Sequence, residues 1–122
     1  MRQAEHLKFG ATCETMACDF YFTHGYTLLK RNFRCDVGEI DLILQKDEQL
    51  VFAEVRGRKT TNFMHPLESI SARKVARIRR AAEWFVAEQA LSNYYCRFDI
   101  VAISPATENH TRLQLEYFCG AF

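Results

Sequence analysis

Gly38-Glu39-Ile40-Asp41-Leu42-Ile43-Leu44-Gln45-Lys46-Asp47-Glu48-Gln49-Leu50-Val51-Phe52-Ala53-Glu54-Val55-Arg56 is the stretch that decides the fold. Ile40, Leu42 and Leu44 alternate with Glu39, Asp41 and Ile43, the two-residue period of a strand. Val51, Ala53 and Val55 alternate in the same way with Phe52, Glu54 and Arg56. The polar Lys46-Asp47-Glu48-Gln49 between them has hairpin length, which predicts two antiparallel strands. If Gln45 lies opposite Leu50, Asp41 faces Glu54 and Glu39 faces Arg56, and the four side chains share one face of the sheet.

Working outward, a helix is predicted from about Lys8 to His24, with Phe9, Met16 and Phe20 near one face, Glu14 among them, and Gly25 as its terminator. The β-branched and aromatic content from Tyr26 to Phe33 predicts a strand. Beyond the hairpin a longer helix runs from an N-cap at Ser71 to about Leu91, burying Val75, Ile78, Ala82, Phe85 and Val86. Arg73, Arg77 and Arg80 lie on its opposite side, with Lys74 and Arg79 flanking the stripe. Strands at Arg97–Ile103 and Arg112–Tyr117 follow. The order helix, three strands, helix, two strands predicts an α/β fold: a mixed five-stranded sheet flanked by helices, with the long helix as a crossover.

A chain of 122 residues, 48% hydrophobic and 25% charged, fits one folded domain spanning 1–122, large enough for a core without metal or disulfide staples. Its five cysteines are odd in number and lack Cys-x-x-Cys spacing, so neither a disulfide scaffold nor a structural zinc site is expected. The polar N-terminus lacks the apolar core of a signal peptide, and no apolar run approaches the ~20 residues that span a bilayer. A soluble, cytoplasmic protein without a membrane partner is expected.

Two carboxylates facing each other across a sheet repel unless a cation lies between them. For Asp41 and Glu54 the natural counter-ion is Mg²⁺ or Mn²⁺, which takes oxygen ligands and leaves positions open for phosphate oxygens. Arg56 beside them would hold a phosphate or stabilise developing negative charge. The same residues admit a plainer reading, with Glu39 and Arg56 as a solvated cross-strand ion pair and Asp41 capping a backbone amide. Against it, Asp41 and Glu54 interrupt apolar runs, where unpaired charge is costly.

Gly38-Glu39-Ile40-Asp41-Leu42-Ile43 followed by Leu50-Val51-Phe52-Ala53-Glu54-Val55-Arg56-Gly57-Arg58 resembles the signature of the YraN-like family of small bacterial proteins. That family is similar to the Holliday-junction-resolvase branch of the PD-(D/E)XK nuclease superfamily. Gly10-Ala11-Thr12-Cys13-Glu14-Thr15-Met16-Ala17 resembles its first-helix motif Gly-x-x-Gly-Glu-x-x-Ala, with Cys13 at the second glycine. Arg31-Asn32-Phe33-Arg34, Lys74 and Arg97-Phe98-Asp99-Ile100-Val101 continue the likeness over nearly the whole chain. The resemblance implies a restriction-endonuclease-like fold in which Asp41 and Glu54 bind the metal, Glu14 completes the site, and the metal activates water to attack a phosphodiester. It also puts Arg56 where the superfamily has lysine, and a guanidinium cannot serve as a base.

The net charge of +1 argues against a nucleic-acid partner, but its distribution argues for one. Residues 56–80 hold eight basic side chains, among them Arg56, Arg58, Lys59, Arg73, Lys74 and Arg77, against Glu68 alone, a net +7. The rest of the chain carries −6. Such a segment beside the acidic pair would track a phosphate backbone into it, with 60–65 as a lip. The plainer alternative is a solvated helix face with Arg79 and Arg80 paired to Glu83. The four histidines are expected in surface or capping roles, Trp84 in packing, and no Gly-rich phosphate loop is present. The expected function is thus a nucleic-acid-binding, metal-dependent endonuclease acting on DNA or structured RNA, with Glu39 as a second auxiliary acid and a homodimer to serve two strands. Two alternatives stand beside it: a non-catalytic nucleic-acid-binding module, and a protein-interaction subunit.

Overall fold

A computed structural model describes residues 2–58, 65–106 and 112–122, with side chains from residue 7 onward. The first helix, α1 (Arg2–Thr23), leads into β1 (Thr27–Cys35), β2 (Gly38–Lys46) and β3 (Gln49–Gly57). A short 3₁₀ turn (Pro66–Glu68) precedes α2 (Ala72–Glu88), and β4 (Tyr95–Pro105) and β5 (Leu113–Phe118) close the fold. Lys59, residues 60–64 of the expected lip and His110 lie outside the described residues, as does the side chain of His6.

The five strands form one sheet in chain order, β1-β2-β3-β4-β5. Consecutive strands pair antiparallel except β3 with β4, which are parallel and joined through α2, so the sheet is mixed and α2 is the expected crossover. The hairpin register is the expected one, with Gln45 opposite Leu50 and Leu42 opposite Ala53. Asp47 turns the hairpin in the left-handed region at φ +52, which aspartate tolerates.

The two helices cover opposite faces. On one, Cys13, Ala17 and Tyr21 of α1, spaced four residues apart, pack with Leu42, Leu44, Val51, Ala53, Val101 and Ile103. On the other, Ile78, Ala81, Ala82 and Phe85 of α2 pack with Phe33, Ile40, Ile43, Leu50 and Phe52. The buried stripe of α1 is therefore Cys13-Ala17-Tyr21 rather than the expected Phe9, Met16 and Phe20, which flank it half-buried. Both helices close tightly on the strand ends near the acidic residues. A Cβ at Gly57 would lie 2.7 Å from Cys13 Sγ, and one at Gly38 would lie 2.8 Å from the carbonyl oxygen of Arg77.

Alternation fails at one place in β2. Leu42 packs with the α1 cluster, whereas Ile40, two residues earlier, packs with the α2 cluster. Strict alternation would have kept them together, as the sequence reading expected. The neighbouring strand shows the matching defect, since Asn32 of β1 takes φ +55 and Phe33 turns to the α2 side. Asp41 sits in this irregularity.

Candidate functional site

The β2–β3 ladder ends at Leu42 and Ala53. One step further Asp41 leaves the ladder, and its Oδ2 accepts the backbone N–H of Val55 at 2.8 Å. The side chain thereby satisfies an amide freed by the parting strands, the capping role that the plainer reading anticipated. The Glu54 carboxyl lies near enough to act on that of Asp41. Two carboxyls so close together and away from water cannot both ionise freely. Burial chiefly, then the Glu54 charge and the hydrogen bond to it, push Asp41 up to about 8, with a smaller push from Glu14. The expected acid pair is thus brought together, with the Asp41 carboxyl held well above the ordinary carboxylate range.

Glu54 is buried, its side chain 4% exposed, and two cations reach its Oε2: Lys74 Nζ at 2.7 Å and Arg56 Nη1 at 3.2 Å. Arg56 also donates from Nη2 to the carbonyl of Ser69 at 3.1 Å, tying β3 to the segment before α2. Ser71, the expected N-cap, accepts the N–H of Lys74 and fixes the helix start from which the lysine reaches back to the sheet. The expected opposition of Glu39 and Arg56 is not formed. With the ladder ended at Leu42, Glu39 pairs instead with its β1 neighbour Arg34 at 3.3 Å, a solvent-exposed contact.

Glu14 lies on the α1 side, its Oε1 accepting from Arg31 Nε at 3.3 Å and Asn32 Nδ2 at 3.2 Å. It lines, with Asp41, Glu39 and Asn32, a cavity of about 340 Å³. A second cavity, of about 200 Å³, opens on the α2 side between Glu39, Ser71, Arg73, Lys74 and Arg77. Arg58 borders a third hollow with Arg56 and Gly57, its own N–H donating to Ile103 O. The structure therefore brings Asp41, Glu54, Arg56 and Lys74 together, sets Glu14 on one flank, and sets Arg73 and Arg77 on the other. Glu39 stands between the two cavities. Among the described residues no group of three or more His, Cys, Asp or Glu side chains is arranged to enclose a metal ion.

Several side chains fall elsewhere than expected. Arg79 lies 4.8 Å over the Phe98 ring. Trp84 is 43% exposed and donates to Glu88, so it is not a core residue. His24 and His65 do serve as local caps, through the Phe20 carbonyl and the Leu67 N–H. No helix among the described residues is long and apolar enough to cross a membrane.

One polar cluster was missed. Asp99 is fully buried and accepts from Tyr21 Oη, Tyr117 Oη, Arg97 Nε and Nη2, and the Gly120 N–H. Burial and the Asp99 carboxylate push both phenols up, and Arg97 further donates to Tyr26. Every group is satisfied, so the cluster is a structural tie between α1, β4 and the C-terminal residues. An aspartate inside Phe98-Asp99-Ile100-Val101, with Arg97 two residues before it on the same face, was the signal available.

Comparison with known proteins places these residues within a broader group. The model of the uncharacterised protein family UPF0102 matches residues 13–103. A UPF0102 protein of Caldicellulosiruptor bescii is 44% identical over 91 residues, covering 74% of this chain and 76% of its own. One from Clostridium perfringens is 36% identical, covering 89% and 88%, and one from Syntrophotalea carbinolica 33% identical, covering 97% and 94%.

Proposed function

The chain belongs to the uncharacterised protein family UPF0102, and from that premise we propose that it is a nucleic-acid-binding protein of restriction-endonuclease-like fold. Its reaction is the Mg²⁺- or Mn²⁺-dependent hydrolysis of a phosphodiester in DNA or structured RNA. The observation that carries this reading is the meeting of Asp41 and Glu54 where β2 and β3 part, beside the cation-lined cavity of Arg73, Lys74 and Arg77.

The donor set fits a hard divalent cation. Two carboxyl groups held close together, one of them made reluctant to ionise, gain most from an ion that replaces its proton. Mg²⁺ characteristically takes only one or two protein carboxylates and fills its remaining positions with water and phosphate oxygens, so a site with no third acid enclosing the ion among the described residues suits it. Asp41 and Glu54 would hold the ion, which when bound supplies an acidified water and a Lewis acid for phosphate. Glu14, already among the charges acting on Asp41, would add a water-mediated contact. Arg56 acts within the protein, fixing Glu54 and the Ser69 carbonyl, and Arg73, Lys74 and Arg77 would meet the phosphates. Two copies, each cutting one strand, would complete a resolvase-like action.

The second reading, a binding module without turnover, draws on the ion pairs that Lys74 and Arg56 make with Glu54, which balance its charge without any metal. Purified wild-type and Asp41→Ala proteins, incubated with branched and linear nucleic acids in Mn²⁺ or in EDTA, separate the two. Metal-dependent cleavage lost in Asp41→Ala is the expected result. Salt-sensitive binding without cleavage favours the module, and neither binding nor cleavage refutes both and leaves the protein-interaction subunit.

A further inference from the structure

The two cations on Glu54 are not equivalent. Arg56 is held at both ends of its guanidinium, by Glu54 and by the Ser69 carbonyl, and its side chain is 22% exposed. Lys74 makes a single-point contact through a flexible stem, its side chain is 41% exposed, and among the described residues Glu54 is the one acid its ammonium pairs with. An ammonium on four methylenes leaves such a contact at little cost, whereas a planar guanidinium fixed at two points does not. The cavity that Lys74 borders already holds Arg73 and Arg77, α2 has no acidic residue in its first turn, and the Glu39 carboxylate that also lines the cavity is paired with Arg34. A lysine released from Glu54 therefore has an adjacent place where its charge adds to an anion-attracting cluster.

We propose that Lys74 is the exchangeable counter-ion of Glu54: it holds the buried carboxylate when the site is free, and a divalent cation arriving at Asp41 and Glu54 displaces its ammonium into the cavity of Arg73 and Arg77, where it binds a nucleic-acid phosphate. This rests on the nuclease-type reading and adds to it a coupling, since metal entry creates a phosphate contact that the metal-free protein lacks. Each ligand then strengthens the other, as linkage requires. Arg56, pinned to β3 and Ser69, keeps Glu54 in place through the exchange. Lys74 is on this view a positioning residue for the substrate, and no proton transfer is asked of it.

The test is Mn²⁺ titration by calorimetry on wild-type, Lys74→Gln and Asp41→Ala proteins, with duplex DNA affinity measured in EDTA and in Ca²⁺. Lys74→Gln should take up Mn²⁺ about threefold to fivefold more tightly than wild type, the scale of removing one partly exposed ion pair that competes with the metal. It should also lose most of the DNA affinity that Ca²⁺ adds, so that the ratio of its affinities in Ca²⁺ and in EDTA falls towards one. A purely structural lysine would weaken both ligands in step. Mn²⁺ uptake that is unchanged or weaker in Lys74→Gln, with normal uptake by wild type, overturns the exchange and leaves the nuclease-type reading standing. Absence of Mn²⁺ uptake by wild type overturns both. Should Lys74→Gln fail to fold, Lys74→Arg decides: its guanidinium leaves Glu54 less readily, so Mn²⁺ binding should weaken several-fold, and an unchanged value refutes the proposal.

Discussion

Replacing Asp41 by asparagine should make the protein more stable at neutral pH, and by an amount that grows with pH. Asparagine keeps the side-chain oxygen that accepts the Val55 N–H, and its amide can donate to Glu54, so the geometry survives while the like charge is removed. In the folded wild type Asp41 is pushed up to about 8, against an ordinary 3.8. The folded state thus holds a proton that the unfolded chain has already released. A group whose folded value is raised contributes stability that is complete below the ordinary value and is lost as pH climbs towards the folded one. The loss runs at ~1.4 kcal/mol per pH unit, so between about pH 5 and pH 7.5 wild type should lose ~3 kcal/mol that Asp41→Asn keeps. The slope belongs to the Asp41–Glu54 pair as a unit, which makes the figure an upper value. Urea unfolding in EDTA at several pH values measures it, and the difference between the two proteins cancels the titrating groups outside the pair. Parallel profiles for the two proteins would refute the argument that Asp41 keeps its proton beside Glu54. The same proton predicts that Mg²⁺ affinity of wild type rises with pH up to about 8, because the ion must displace it.

Asp99→Asn should cost ~3–5 kcal/mol in urea unfolding, since the new amide faces donors from Tyr21, Tyr117 and Arg97 and leaves a partly buried guanidinium without its counter-charge. Gly38→Ala should destabilise by roughly 1–3 kcal/mol, because its Cβ would press on the α2 backbone at the Arg77 carbonyl, which cannot move aside as a flexible side chain would. The loss should appear in the thermal midpoint and be accompanied by weaker DNA binding, as the α2 start carries Arg73 and Lys74. Ser71→Ala should cost ~1 kcal/mol in the same measurement by removing the cap on the Lys74 amide.

Much of this was legible locally. Period-two patterning and a polar four-residue break were enough to place the β2–β3 hairpin and exclude a slip of one residue, which would turn every apolar side chain to the wrong face, and the assumed pairing of Gln45 with Leu50 is the one formed. That register in turn brings Asp41 to Glu54. The face of Ile40 was not legible, since the break in alternation is matched by the left-handed backbone of Asn32 in the neighbouring strand, and a single strand's pattern holds no record of its neighbour's backbone. Glu39 illustrates the same limit: it had two possible cross-strand partners, and the end of the β2–β3 ladder gave it to Arg34.

Spacing along the chain thus determined the elements, their order and the hairpin that carries the acid pair, all of which depend on contacts between residues near in sequence or on hydrophobic period, and the crossover helix between β3 and β4 pointed to the mixed sheet. Only the tertiary structure decided which cation serves Glu54. Lys74 lies twenty positions from Glu54, on a helix, and its reach depends on how α2 crosses the sheet, set by Gly38 against Arg77 and by Ile78 and Phe85 in the core. Charge counting could place Lys74 in a basic segment. Its 2.7 Å contact with a buried carboxylate follows from packing, because burial is what forces that carboxylate to find a cation.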